Sequence, residues 1–73
     1  MNLKDKKIEA YKLGWDAHKS GAKRVPILDK NVWPLIEYMP VGTGVNQILK
    51  CWLSGWDYRN LSANVELASK LEE

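Results

Sequence analysis

The chain has 73 residues, 45% of them hydrophobic and 27% charged, with 11 lysines and arginines against 9 acidic residues and a net charge of +2. That length gives one small domain near the lower limit for burying an adequate core unaided, and the composition is that of a folded chain rather than a disordered one. A lone cysteine, Cys51, rules out an intrachain disulfide and a multi-thiol metal site; no run approaches the ~18 apolar residues of a membrane span, and the mild basicity falls short of a nucleic-acid-coating protein.

In chain order, the opening stretch "MNLKDKKIEA" has the basic residues of a signal peptide but no apolar core, so a cytoplasmic location is the default expectation. The first core helix is expected over about 5–21. Ile8, Tyr11, Trp15 and His18 recur at i, i+3, i+7, i+10 and mark one face. Beside them lies a stripe of small residues, Ala10, Gly14, Ala17 and Gly21, the last placed to end the helix. Residues 22–44 read as a connector, because Pro26 cannot continue a helix. Within it, "VWPLIEYM" fits either a helical turn starting near Pro34 or an extended strip over the core, and "PVGTG" is turn chemistry.

The strongest helix is expected over about 45–60, where Val45, Ile48, Leu49, Trp52, Trp56 and Arg59 recur at helical spacing along one face. It either pauses at "NLSAN" and restarts with Ser62 as an N-cap, or runs unbroken to about Leu71. In the restarted version Leu67, Ala68 and Leu71 face inward; in both, 62–71 is a helical tail and the acidic end is expected to fray. The fold class is therefore mainly α: two principal helices joined by a long connector, with a short third helix as an option, in one domain.

One feature demands a physical reason. Gly14-Trp15-Asp16 is repeated as Gly55-Trp56-Asp57, and a glycine inside a helix costs about 1 kcal/mol against alanine. Close approach supplies the reason: Gly14 and Gly55 remove side chains where two helices cross, and Trp15, Trp52 and Trp56 fill the space beside the crossing as core. So small a core is also a reason to expect help from a partner subunit, and a homodimer is among the expected states.

The pattern Ala10-x-x-x-Gly14-Trp15-x-Ala17-x-x-x-Gly21, followed by Trp52-Leu53-x-Gly55-Trp56, resembles the ribosome modulation factor family of small bacterial proteins and their phage and plasmid relatives. The resemblance covers roughly residues 9–21 and 49–59. It implies two helices with a connector, and a ribosome-binding protein that modulates translation. The family's connector is shorter and carries an Asn- or Cys-Pro-Tyr turn, replaced here by the longer Arg24–Gly44 stretch, and its ribosomal members are more basic. The resemblance implies an rRNA-facing surface formed by Lys4, Lys7, Lys12, Lys19, Lys23 and Arg24; a solvated helix face is the plainer reading of these residues.

The alternative expectation is a phage- or plasmid-encoded protein–protein interaction module that inhibits a host protein. Its contacts would be Trp33 and Tyr38, for which core lining is the plainer reading. His18 has no ligand partners at metal spacing, and "VGTG" lacks the Gly-Lys-Ser/Thr ending of a phosphate-binding loop. Without a nucleophile–base pair, metal cluster or cofactor fingerprint, neither an enzyme nor a cofactor is expected.

Overall fold

A computed structural model describes residues 2–40 and 42–71, with side chains through Asn64. Helix α1 spans Leu3–Lys19, a 3-10 turn spans Pro26–Leu28, α2 spans Trp33–Ile36 and α3 spans Val45–Leu71. The fold is mainly α, with two major helices and a long connector between them.

Helix α1 starts two residues before the expected boundary at about 5, because Asn2 caps it: the Asn2 side chain accepts from the Asp5 amide at 2.8 Å. Its C-terminal end is a Schellman motif. The Ala22 amide donates to the Ala17 carbonyl and the Gly21 amide to that of His18, with Gly21 at φ +83°, a backbone state that a β-carbon would strain. In the connector, Pro26 and Pro34 both occupy first-turn positions of their elements, where a missing N–H leaves no bond unmade. Ser62 lies inside α3, which runs unbroken through Leu71. The inward placement expected of Leu67, Ala68 and Leu71, and the fraying expected of the acidic end, fall outside the described residues.

The contacts between α1 and α3 fix their relative direction. Leu3 lies against Gly44, Tyr11 and Trp15 against Gly55, and Gly14 against Trp52 and Trp56. Further along, His18 meets Asn60. Each pair is separated by about the same number of residues, so the two helices run parallel. Parallel neighbours need a return crossing, and this is the physical reason for the long connector: it leaves the end of α1 and climbs back along α3. Ala22 bonds Trp56, Arg24 bonds Asp57 and Asp29 bonds Trp52 on the way.

At the crossing the two backbones touch. A β-carbon on Gly14 would overlap the Trp52 carbonyl oxygen and lie 2.8 Å from its carbon and 3.0 Å from the Trp56 nitrogen. A β-carbon on Gly55 would overlap the Tyr11 carbonyl oxygen and lie 2.9 Å from its carbon and 3.1 Å from the Trp15 nitrogen. The two environments are the same environment seen from opposite sides. Tyr11, Gly14, Trp15 and His18 of α1 correspond to Trp52, Gly55, Trp56 and Arg59 of α3, so the helix pair has an approximate two-fold axis running along it.

Ala10, Ile48 and Trp52 are fully buried, joined by Val32 and Leu35 from the connector. Leu13, Ala17, Leu49, Leu53 and Trp56 pack around them. The inward face of α1 is thus its small-residue stripe together with Leu13. The stripe of Ile8, Tyr11, Trp15 and His18 lies to one side, leaving Ile8 47% and Tyr11 37% exposed, because the glycine and alanine backbone must turn inward for the helices to approach so closely.

Candidate functional site: the connector surface

The connector is pinned by its polar groups before any of its surface can serve as a site. Asp29 accepts from the Asn31 amide at 2.9 Å with one oxygen and from the Trp52 indole Nε1 at 2.8 Å with the other. Trp56 Nε1 donates to the Ala22 carbonyl at 3.0 Å. Both tryptophans thereby bury apolar rings while their single donors find partners. Arg24 makes a forked pair with Asp57, Nε to Oδ1 at 2.6 Å and Nη2 to Oδ2 at 2.7 Å. These hydrogen bonds raise the Arg24 pKa above its ordinary value and hold the Asp57 carboxyl below its own, against the smaller opposing effect of desolvation.

With the connector fixed, Val32 and Leu35 point into the core and Ile36 and Met39 pack against it, while Trp33, Pro34, Glu37 and Tyr38 are exposed. Trp33 is 51% exposed and Tyr38 94% exposed. Core lining, the plainer expectation for this pair, does not hold: the four residues of α2 make one turn, and that turn can bury only the face that carries Leu35, next to the buried Val32. Tyr38 is the outlier of the molecule. Its φ is +66°, the only positive value at a non-glycine residue among those described, a conformation that costs an L side chain about 1–2 kcal/mol. Nothing in the core compensates, since the ring lies in solvent. Val25, Ile27 and Leu28 add further exposed apolar surface along the same connector. Beside Leu28 opens a cleft of about 480 Å³, lined by Leu13, Ala17, Val25 and Trp52 and rimmed by Asp16 and Lys23.

The lysines expected to face rRNA are dispersed. Lys4, Lys12 and Lys19 are exposed along α1 and Lys23 in the connector, Lys7 is half-buried, and Arg24 already engages Asp57. The two-fold partners His18 and Arg59 each sit on the other helix's tryptophan. The His18 ring meets Trp56 edge-on with centroids 4.7 Å apart, and the Arg59 guanidinium lies 5.3 Å from the Trp15 ring centre. His18 Nε2 lies 3.0 Å from Asn60 Oδ1. Among the described residues no three histidine, cysteine or acidic side chains converge as metal ligands, and no helix is long and apolar enough to cross a membrane. Gly42 and Gly44 both have positive φ, and the Thr43 hydroxyl donates to the Pro40 carbonyl, so Gly42-Thr43-Gly44 is held as a turn.

The residues that sequence reasoning missed are Asp29 and the Arg24–Asp57 pair. Asp29 precedes Asn31 by two, an Asx-turn spacing, and that signal was present; its bond to Trp52 depends on a return crossing that no local pattern encodes. Comparison with family models, with curated proteins and with solved structures gave no match to this chain.

Proposed function

We propose that the chain is a small non-catalytic binding module that acts by docking on another protein through its connector, with Tyr38 and Trp33 as anchors. The observation that carries this reading is Tyr38. A large ring held on strained backbone and left in solvent destabilises the free molecule, and strain of this kind concentrates where a partner uses it. Tyrosine and tryptophan are also the side chains that dominate binding energy at protein interfaces. A host protein, blocked by occupation of its surface, is the target class in keeping with the phage and plasmid relatives that the sequence resembles.

The test is retention of a partner from bacterial lysate by the wild-type chain, by Tyr38→Gly and by Trp33→Ala. Loss of the partner by both variants, with their melting temperatures preserved, supports the reading. Undiminished capture by both ends it.

A second reading has its own supporting observation. Lys4, Lys12 and Lys19 are exposed on α1, the helix that also exposes Tyr11, and lysines beside aromatic rings suit a ribosome- or rRNA-binding surface. This is the role that the ribosome modulation factor resemblance implies, with modulation of translation as its outcome. It predicts co-sedimentation with ribosomes that weakens steeply between about 50 and 200 mM salt and that Lys12→Ala with Lys19→Ala diminishes. The forked Arg24–Asp57 pair and the net charge of +2 are why it stands second.

A further inference from the structure

The approximate two-fold axis of the helix pair gives it two equivalent grooves, and the connector fills only one. In the filled groove a single helical turn sets Val32 and Leu35, spaced i, i+3, into one cluster with Trp52, and Leu13, Leu49, Leu53 and Trp56 pack around them. What this geometry accepts is therefore visible in the molecule itself: an apolar edge at helical spacing. In the open groove Ile8 stands where Leu49 does, Tyr11 where Trp52 does, Trp15 where Trp56 does and Tyr58 where Ala17 does. Ile8, Tyr11 and Tyr58 are exposed, as is Leu61 beyond the crossing, and Tyr58 covers Trp15 only in part, at a ring separation of 5.8 Å. Gly14 and Gly55 close the seam beneath, so this strip contributes little to folding the single chain.

The same correspondence sets the charge of the open groove. Val45, Ile48 and Leu53, partly or wholly buried on α3, have Lys4, Lys7 and Lys12 as their equivalents on α1. Lys19 follows Trp15 by one helical turn, and the Arg59 guanidinium lies over the Trp15 ring. The acids of the two helices are placed differently. Glu9 and Asp16, at i, i+7, fall on the row of α1 that turns away from the strip, and Asp16 lines the connector cleft with Leu13 and Lys23. Asp57, one turn before Leu61, is engaged by Arg24. Among the described residues this leaves Asp5, three before Ile8, as the carboxylate nearest the strip, against four lysines and Arg59. The open groove is thus the filled one with three of its apolar residues exchanged for lysine, and it matches an apolar edge flanked by carboxylates.

We infer that the open groove is a docking surface for an acidic amphipathic helix of another protein, with apolar residues at i, i+3 or i+4, and i+7 and with aspartate or glutamate beside them. Leu61 lies level with Ser20 in the two-fold register, so the strip from Ile8 to Leu61 is about 18 Å long at a rise of about 1.5 Å per residue, a little over three turns of such a helix. Ile8 and Leu61 at its ends suit aliphatic side chains, whereas the bases of a single-stranded nucleic acid stack on rings. The connector lies on the opposite side of the helix pair, so the inference does not rest on what Tyr38 binds.

Selection of displayed helical peptides on the immobilised full chain tests this, with peptides of roughly eighteen residues, long enough to hold a helix, randomised at apolar and charged positions. The selected sequences should pair an apolar edge with flanking acids. As synthetic peptides they should shift the amide resonances of Ile8, Tyr11, Trp15 and Leu61 but not those of Trp33 or Tyr38. Their affinity should fall about tenfold or more with Ile8→Glu or Leu61→Glu, both at exposed positions. Lys4→Glu with Lys12→Glu should lose these peptides and select basic ones in their place. Tyr38→Gly should leave binding unchanged, so that failure of the connector reading and failure of this one are separable. A selection that yields no peptide for this face would overturn the inference, as would peptides whose charge is indifferent to the lysine reversal. So would displacement of the peptides by equimolar oligouridine RNA, by phosphatidylglycerol vesicles or by self-association of the chain.

Discussion

The two faces of the α1–α3 pair start from nearly the same backbone geometry and end with different fates. On the face covered by the connector, Trp52 is wholly buried and its indole nitrogen bonds Asp29. On the other, Tyr11 occupies the equivalent position and remains 37% exposed. Equivalent helix positions thus become core or surface according to what crosses them, and the return crossing required by parallel helices supplies a cover for one face only. The crossing itself is common to both faces and rests on two missing β-carbons.

That contrast can be broken at several points. The largest effect is expected at the shared crossing. Gly14→Ala or Gly55→Ala would gain about 1 kcal/mol in helix propensity. Against this, the added methyl must displace a carbonyl of the facing backbone, which cannot rotate away as a side chain can. Overpacking by side chains typically costs roughly 1–3 kcal/mol, but here the added carbon overlaps a backbone carbonyl oxygen, the helices must part along the whole crossing, and the cost lies above that range. In a domain with only about 0.05–0.15 kcal/mol of stability per residue, either variant should melt well below wild type by circular dichroism. A melting temperature equal to wild type would refute the close approach.

Next comes the comparison of the two faces directly. Trp52→Ala should cost about 3–5 kcal/mol in chemical denaturation, the range for a buried aromatic truncated to alanine. Its two-fold equivalent Tyr11→Ala should cost the single chain under about 1 kcal/mol, since surface substitutions have small effects. Equal costs would mean that the connector does not distinguish the faces.

A smaller effect, of opposite sign, is expected at Tyr38. Tyr38→Gly relieves a positive-φ tyrosine and should stabilise the chain by up to about 1 kcal/mol, offset in part by the greater entropy of an unfolded glycine. A destabilisation would show that the Tyr38 ring contributes to the fold rather than to a partner.

The smallest effect concerns Arg24 and Asp57. The Asp57 carboxyl is held below its ordinary value of 3.8, mainly by hydrogen bonds from Arg24. A carboxyl depressed in the folded state stabilises that state fully above its unfolded value, and the contribution is lost as pH falls through the lower folded value. Arg24 stays charged throughout. The melting-temperature difference between wild type and Asp57→Asn should therefore be constant near neutrality and shrink below about pH 4. Both side chains are about half exposed, so the difference itself should be small and fall further in salt.

Much of the architecture was legible in the sequence because it is carried by local signals. The repeated Gly-Trp-Asp, the α3 stripe from Val45 to Trp56 and the terminating Gly21 each express a short-range constraint, and the structure uses each of them. The direction of packing was not legible, since nothing in either helix distinguishes a parallel from an antiparallel neighbour; that information lies in the connector's length and in where it bonds α3. The exposure of Ile8 and Tyr11 was not legible either. A stripe of large residues ordinarily marks the buried face, but a backbone-to-backbone crossing reverses the rule and turns the smallest side chains inward. At the connector surface, Trp33 and Tyr38 could be recognised as two large rings beside prolines. Their exposure could not, because it follows from which side of a single helical turn meets Ile48 and Trp52.

Nuclear Overhauser contacts in the single chain test the crossing most directly. The account predicts close contacts from the Gly14 α-protons to Trp52 and Trp56, from the Gly55 α-protons to Tyr11 and Trp15, and from the Leu3 methyls to Gly44. Contacts from Leu3 to the neighbourhood of Asn60 instead, with neither glycine near the facing helix, would mean antiparallel helices without a backbone crossing, and would contradict it.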